Sequence, residues 1–149
     1  MYKNAREAVE SIYKIIRNKS HDYSGRDPFR NFKDSSLVGV EPIKGMEVRL
    51  LDKLNRIINL QSLDAMVEEP ITETVRDAIG YCMLMTTFLR NESLGDLEKR
   101  AETRHLFCHN IPDVNKAKEA LVTSKDCGTQ EKIETYNRII SLLLKYIIK

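Results

Sequence analysis

From Asn4 to Lys19 the apolar residues Ala5, Ala8, Val9, Ile12, Ile15 and Ile16 recur at helical spacing, with Asn4 placed to cap the first turn. Residues 20–46 are interrupted by Gly25, Pro28, Gly39, Pro42 and Gly45 among serines and aspartates, which predicts a long loop with one helical turn at 29–35. A second helix is expected from Met46 to Gln61, followed by a polar linker at 62–69. Pro70 then suits the first turn of a third helix, which should reach Arg90 with Val75, Ala78, Ile79, Cys82 and Met85 on its core face. Further helices are expected at 96–107, 113–125 and 129–148, separated by Pro112 and by Cys127-Gly128. No segment alternates as a strand does. The last helix is apolar over most of its circumference, through Ile133, Tyr136, Ile139, Ile140, Leu143, Leu144 and Ile147, so it should be central or form a homo-oligomer interface. The pattern predicts an all-α, compact helical bundle with a long functional loop after helix one.

Composition narrows the picture without changing it. A chain of 149 residues fits a single domain, 1–149, with room for one core. A formal net charge of +2 with acids and bases interspersed does not favour binding to a nucleic-acid polymer. Three cysteines, Cys82, Cys108 and Cys127, form no close pair and follow no leader-like segment, which points to a reducing cytoplasm. The C-terminal run ISLLLKYIIK contains two lysines and falls far short of the roughly 20 apolar residues a membrane span requires.

Candidate chemistry lies in three charged blocks. On the second helix Arg49, Asp52, Lys53 and Arg56 occupy i, i+3, i+4 and i+7; on the third, Glu73, Asp77 and Tyr81 occupy i, i+4 and i+8. The carboxylates Asp52, Glu73 and Asp77 on neighbouring helices suit Mg²⁺, which takes a few carboxylate oxygens beside water and substrate phosphates. Arg49, Lys53 and Arg56 suit phosphate, the arginines as forks and the lysine as a mobile point charge. The same charges also read as a solvated helix face. In the loop, Asp22, Tyr23, Asp27, Arg30 and Asn31 alternate with Phe29 and Phe32. These offer base stacking beside an amide, or two aromatic anchors with polar helix caps; for the phenylalanines, anchoring is favoured. HLFCH at 105–109, with Cys127, invites a zinc reading, but the second close pair of ligands is missing. Burial of Cys108 beside exposed histidines is the preferred account.

The order of KSHDYSGRDPFRNF, GMEVRLLDKLNRIINL and ETVRDAIGYCMLM resembles the nucleotide modification associated domain 1 family of bacteriophages and bacteria over residues 10–90. The matching positions are Asp22, Tyr23, Asp27, Phe29, Asn31, Phe32, Arg49, Asp52, Lys53, Arg56, Glu73, Asp77 and Tyr81. The paired acidic helices are also similar, more distantly, to the all-α nucleoside triphosphate pyrophosphohydrolases of the MazG kind. That resemblance implies Mg²⁺-dependent hydrolysis of a (deoxy)nucleoside triphosphate to monophosphate and pyrophosphate in the host cytoplasm. In it Asp52, Glu73 and Asp77 hold the metal, Arg49, Lys53 and Arg56 the phosphates, and Asp22, Asp27 and Asn31 close over the ligand. Two departures stand against catalysis. Gly80 replaces an asparagine of the family pattern, and the paired E-x-x-E and E-x-x-D motifs of the pyrophosphohydrolases are not met. The alternative is a non-catalytic protein that sequesters a nucleotide or signalling nucleotide, or docks on a host protein. Residues 91–149 match nothing in the family.

Overall fold

A computed structural model describes residues 1–24, 27–62, 71–93, 95–96 and 111–149, with side chains from 22 to 24 excepted. Helix α1 (Ala5–Ser24) starts where expected: the Asn4 side-chain oxygen accepts the Glu7 N–H at 2.9 Å. It continues one turn past Lys19. A four-residue α2 (Arg30–Lys33) and a 3₁₀ turn (Asp34–Val38) occupy the predicted loop, and the turn ends at Gly39 with φ +81°, a conformation natural to glycine. Helix α3 (Pro42–Leu60) begins four residues before Met46. Pro42 and Gly45, expected to interrupt structure, lie inside it. The reason is positional: proline at the first helical position needs no N–H partner and brings a helical φ.

Helix α4 (Ile71–Leu89) is the centre of the bundle, touching α1, α3 and α6. It buries Thr74, Val75, Ala78, Ile79, Cys82, Met83, Met85, Thr86 and Thr87. Thr86 and Thr87 tolerate full burial because their hydroxyls donate to the Cys82 and Met83 carbonyls at 2.9 and 2.8 Å. Asn91, with φ 53°, ends the helix in the left-handed region that asparagine accepts.

Asp113 caps α5 (Val114–Thr123), accepting the Lys116 N–H at 2.9 Å, and a 3₁₀ turn (Ser124–Asp126) leads toward α6 (Thr129–Leu144). The apolar circumference predicted for the last helix is satisfied within the chain: Ile133, Tyr136, Ile139, Ile140, Leu143, Leu144 and Ile147 are all buried. Helix α6 stops at Leu144 rather than 148, because Tyr2 takes over the backbone there. Its N–H donates to the Ile147 carbonyl, and Lys149 N–H donates back to Tyr2, each at 2.9 Å. That single bridge apart, no extended pairing occurs among the described residues, and the all-α bundle stands. No helix among them is long and apolar enough to cross a membrane. The predicted helix at 96–107 falls largely outside the described residues.

Among the described residues one ion pair crosses the interior. Lys132 of α6 and Glu47 of α3 meet at 2.6 Å with their side chains only 9 and 11% exposed. Tyr136 donates to the same carboxylate oxygen at 3.3 Å, Lys44 approaches the other at 3.4 Å, and both lysines also donate to the Lys125 carbonyl. Burial, and then the Glu47 charge, push the Tyr136 hydroxyl far above the usual phenol range, so it stays a donor. Lys132→Met leaves Glu47 buried with weaker partners, and equilibrium urea unfolding should show a loss of about 3 kcal/mol. Glu134→Gln, at an exposed position two residues along the same helix, should show almost none.

Candidate functional site

Along α4, Glu73, Asp77, Gly80 and Leu84 fall at i, i+4, i+7 and i+11, one line down the helix with Arg76 and Tyr81 on its flanks. Along α1, Ile12, Ile16 and Lys19 form the equivalent line with Ile15 and Ser20 beside it. The two lines face each other across a cavity of about 500 Å³, closed by Pro28, Phe32 of α2 and Lys53 of α3. This volume is within the range of small-molecule sites.

The helices run in opposite senses here, and the cavity is therefore polarised. At one end Lys19 lies 3.7 Å and Lys53 3.1 Å from the Asp77 carboxylate, so Asp77 links α1, α3 and α4. Arg76 lines the cavity half-buried and, among the described residues, has no hydrogen-bond or ion-pair partner. Glu73 is exposed on the same wall. Toward the other end, the side chains of Ile12 and Ile16 lie 3.7–3.8 Å from where a Gly80 Cβ would stand. Phe32 and Tyr81 meet edge to face there, with ring centroids 6.3 Å apart and planes at 82°.

The sequence-predicted residues divide sharply. Lys53, Glu73, Asp77 and Tyr81 come together in the cavity lining. Arg49, Asp52 and Arg56 are exposed on α3 outside it. Helical geometry explains the split: α3 buries Met46, Leu50, Leu54 and Ile57, which puts Lys53 at the edge of the buried face and Asp52 nearly opposite it. The three carboxylates Asp52, Glu73 and Asp77 are thus not assembled, and no group of three acid, histidine or cysteine side chains among the described residues could hold a metal ion. Asn31 is exposed and lies outside the cavity lining. Asp22 and Tyr23 ride on the last turn of α1, but their side chains are outside the described residues, as are His105, Cys108 and His109.

Asp27 serves the loop. It accepts the Phe29 N–H at 2.9 Å and pairs with Lys33 at 2.8 Å, while Phe29 is buried against Phe88 with centroids 5.3 Å apart. For Phe29 the anchoring role holds; Phe32, half-buried, faces the cavity. The residues missed from sequence are Lys19, Arg76 and the α1 wall. A signal was present, since Ile15 widens the apolar stripe of α1 beyond what the core uses and remains 37% exposed. No family model, curated protein or solved structure matches the chain.

Two outcomes follow. At Gly80 an added Cβ meets only ordinary van der Waals distances, so Gly80→Ala should raise unfolding stability by up to about 1 kcal/mol through helix propensity, measured by urea denaturation. The Lys33 hydrogen bond, assisted by the Phe29 N–H, holds the Asp27 carboxyl below its ordinary value despite some burial. A depressed carboxyl stabilises the fold above its unfolded value, and that contribution is lost as pH falls through the folded one. In Lys33→Met, NMR titration should find the Asp27 midpoint shifted upward, with the acid limb of stability less steep.

Proposed function

We propose that this cavity binds a nucleotide, its phosphate held by Arg76, Lys53 and Lys19 and its base lying toward Phe32, Tyr81 and the α1 isoleucines. The observation that carries the reading is Arg76, a half-buried guanidinium on a cavity wall with no partner among the described residues. Burying charge without a partner is costly, and a planar fork of donors is matched by phosphate oxygens. The apolar wall beside it supplies what a purely ionic ligand would not use. The motif resemblance supports the same ligand class through Lys53, Glu73, Asp77 and Tyr81.

Glu73 and Asp77, one turn apart on the cavity wall, favour a second reading as a Mg²⁺-dependent hydrolase of nucleoside triphosphates. The fit is partial. They offer two carboxylates rather than three, and Asp77 is already engaged by two lysines. Sequestration therefore leads.

The test is isothermal titration of the protein with ribo- and deoxynucleotides of each base, with chromatography of the mixtures after incubation with Mg²⁺. The sequestration reading expects binding, recovery of intact ligand, and a loss in Arg76→Ala of about tenfold or more in affinity. A monophosphate product would establish the hydrolase instead. Absence of binding across the whole panel would overturn both.

A further inference from the structure

The cavity lining sets three cations, Lys19, Lys53 and Arg76, against two carboxylates, Glu73 and Asp77. One positive charge is left over. Before any ligand arrives, Lys53 and Lys19 already hold an anion, since Asp77 presents one oxygen to each at 3.1 and 3.7 Å. Of these three cations Arg76 alone has no partner among the described residues. We propose that Asp77 is a built-in counter-anion that makes the site selective for a phosphate monoester, a nucleoside monophosphate, over the corresponding triphosphate. The inference rests on the nucleotide-binding reading of the same cavity.

Charge and layout both argue for it. A monoester phosphate brings about 1.5 to 2 negative charges at pH 7, which the free Arg76 and the shared lysines can balance. Each further phosphoryl group adds charge with no further cation in the lining to meet it. It cannot extend toward Ile12, Ile16 and Leu84, because that end is apolar and would leave the charge unsolvated. Extension along the charged end passes Asp77 and the exposed Glu73, whose like charges oppose it. Neutralising Asp77 removes one of those repulsions and releases Lys53 and Lys19 to the ligand.

The experiment takes the base that binds most tightly and titrates its mono-, di- and triphosphates in Mg²⁺-free buffer into wild type, Asp77→Asn and Glu73→Gln. In the wild type, affinity should fall with each added phosphate. In Asp77→Asn the preference for monophosphate over triphosphate should shrink by about three- to tenfold, and Glu73→Gln should shrink it less. Affinity that is flat or rises with phosphate number in the wild type overturns the proposal while leaving nucleotide binding intact. So does a folded Asp77→Asn protein with an unchanged ratio. Should Asp77→Asn fail to fold by circular dichroism, the exposed Glu73→Gln decides, and an unchanged ratio there overturns the proposal. Failure of every nucleotide to bind overturns the binding reading itself, and this inference with it.

Discussion

Helix α4 is covered on three sides, by α1, α3 and α6, and the layout of the candidate site follows from that burial. A helix so enclosed can carry charge only along the strip its neighbours leave open. Nine of its side chains from Thr74 to Thr87 are in the core, so Glu73, Arg76 and Asp77 are confined to the line that faces α1. Gly80 continues that line with no side chain, so the cavity stays open where α1 crosses. The site is a by-product of one helix having almost no free surface.

The Glu47–Lys132 pair plays a different part. A buried ion pair contributes little net stability over an apolar pair of the same size, since desolvation offsets much of the attraction. Its geometry is nonetheless demanding. Lys132 has to reach both the Glu47 carboxylate and the Lys125 carbonyl, and Tyr136 has to donate to the same oxygen. Helix α6, α3 and the turn after α5 can satisfy those groups in one register, whereas leucines and isoleucines alone would accept several. With α3 fixed in this way, Lys53 is brought to the edge of α4 and reaches Asp77.

At the cavity the Asp77 carboxylate and its two lysines show how a site is kept compatible with folding. Unpaired, two lysines near an apolar wall would repel one another and resist approach of α1 to α3. Paired through Asp77, they are tolerated, at side-chain exposures of 25% for Lys53 and 60% for Lys19. Of the three cations lining the cavity, Arg76 is the one without a protein partner among the described residues, and its long aliphatic stem makes a half-buried position affordable.

Hydrophobic periodicity alone determined the helices, because burial on one face imposes a 3.6-residue repeat that local sequence records: α1, α4 and α6 lie close to where the repeat puts them, and Asn4 caps as its chemistry demands. It misplaced the start of α3, since Pro42 and Gly45 break helices or begin them according to position, and position depends on what packs beyond. The stripe Arg49, Asp52, Lys53 and Arg56 was legible as a polar line, yet nothing local says which edge of it turns toward a neighbour. Only the docking of α3 on α4 selected Lys53 and sent Asp52 to solvent. Lys19 and Arg76 were hidden for the same reason. A charge becomes part of a site through the residues opposite it, and those residues stand more than 50 positions away along the chain, joined by packing that no local pattern encodes.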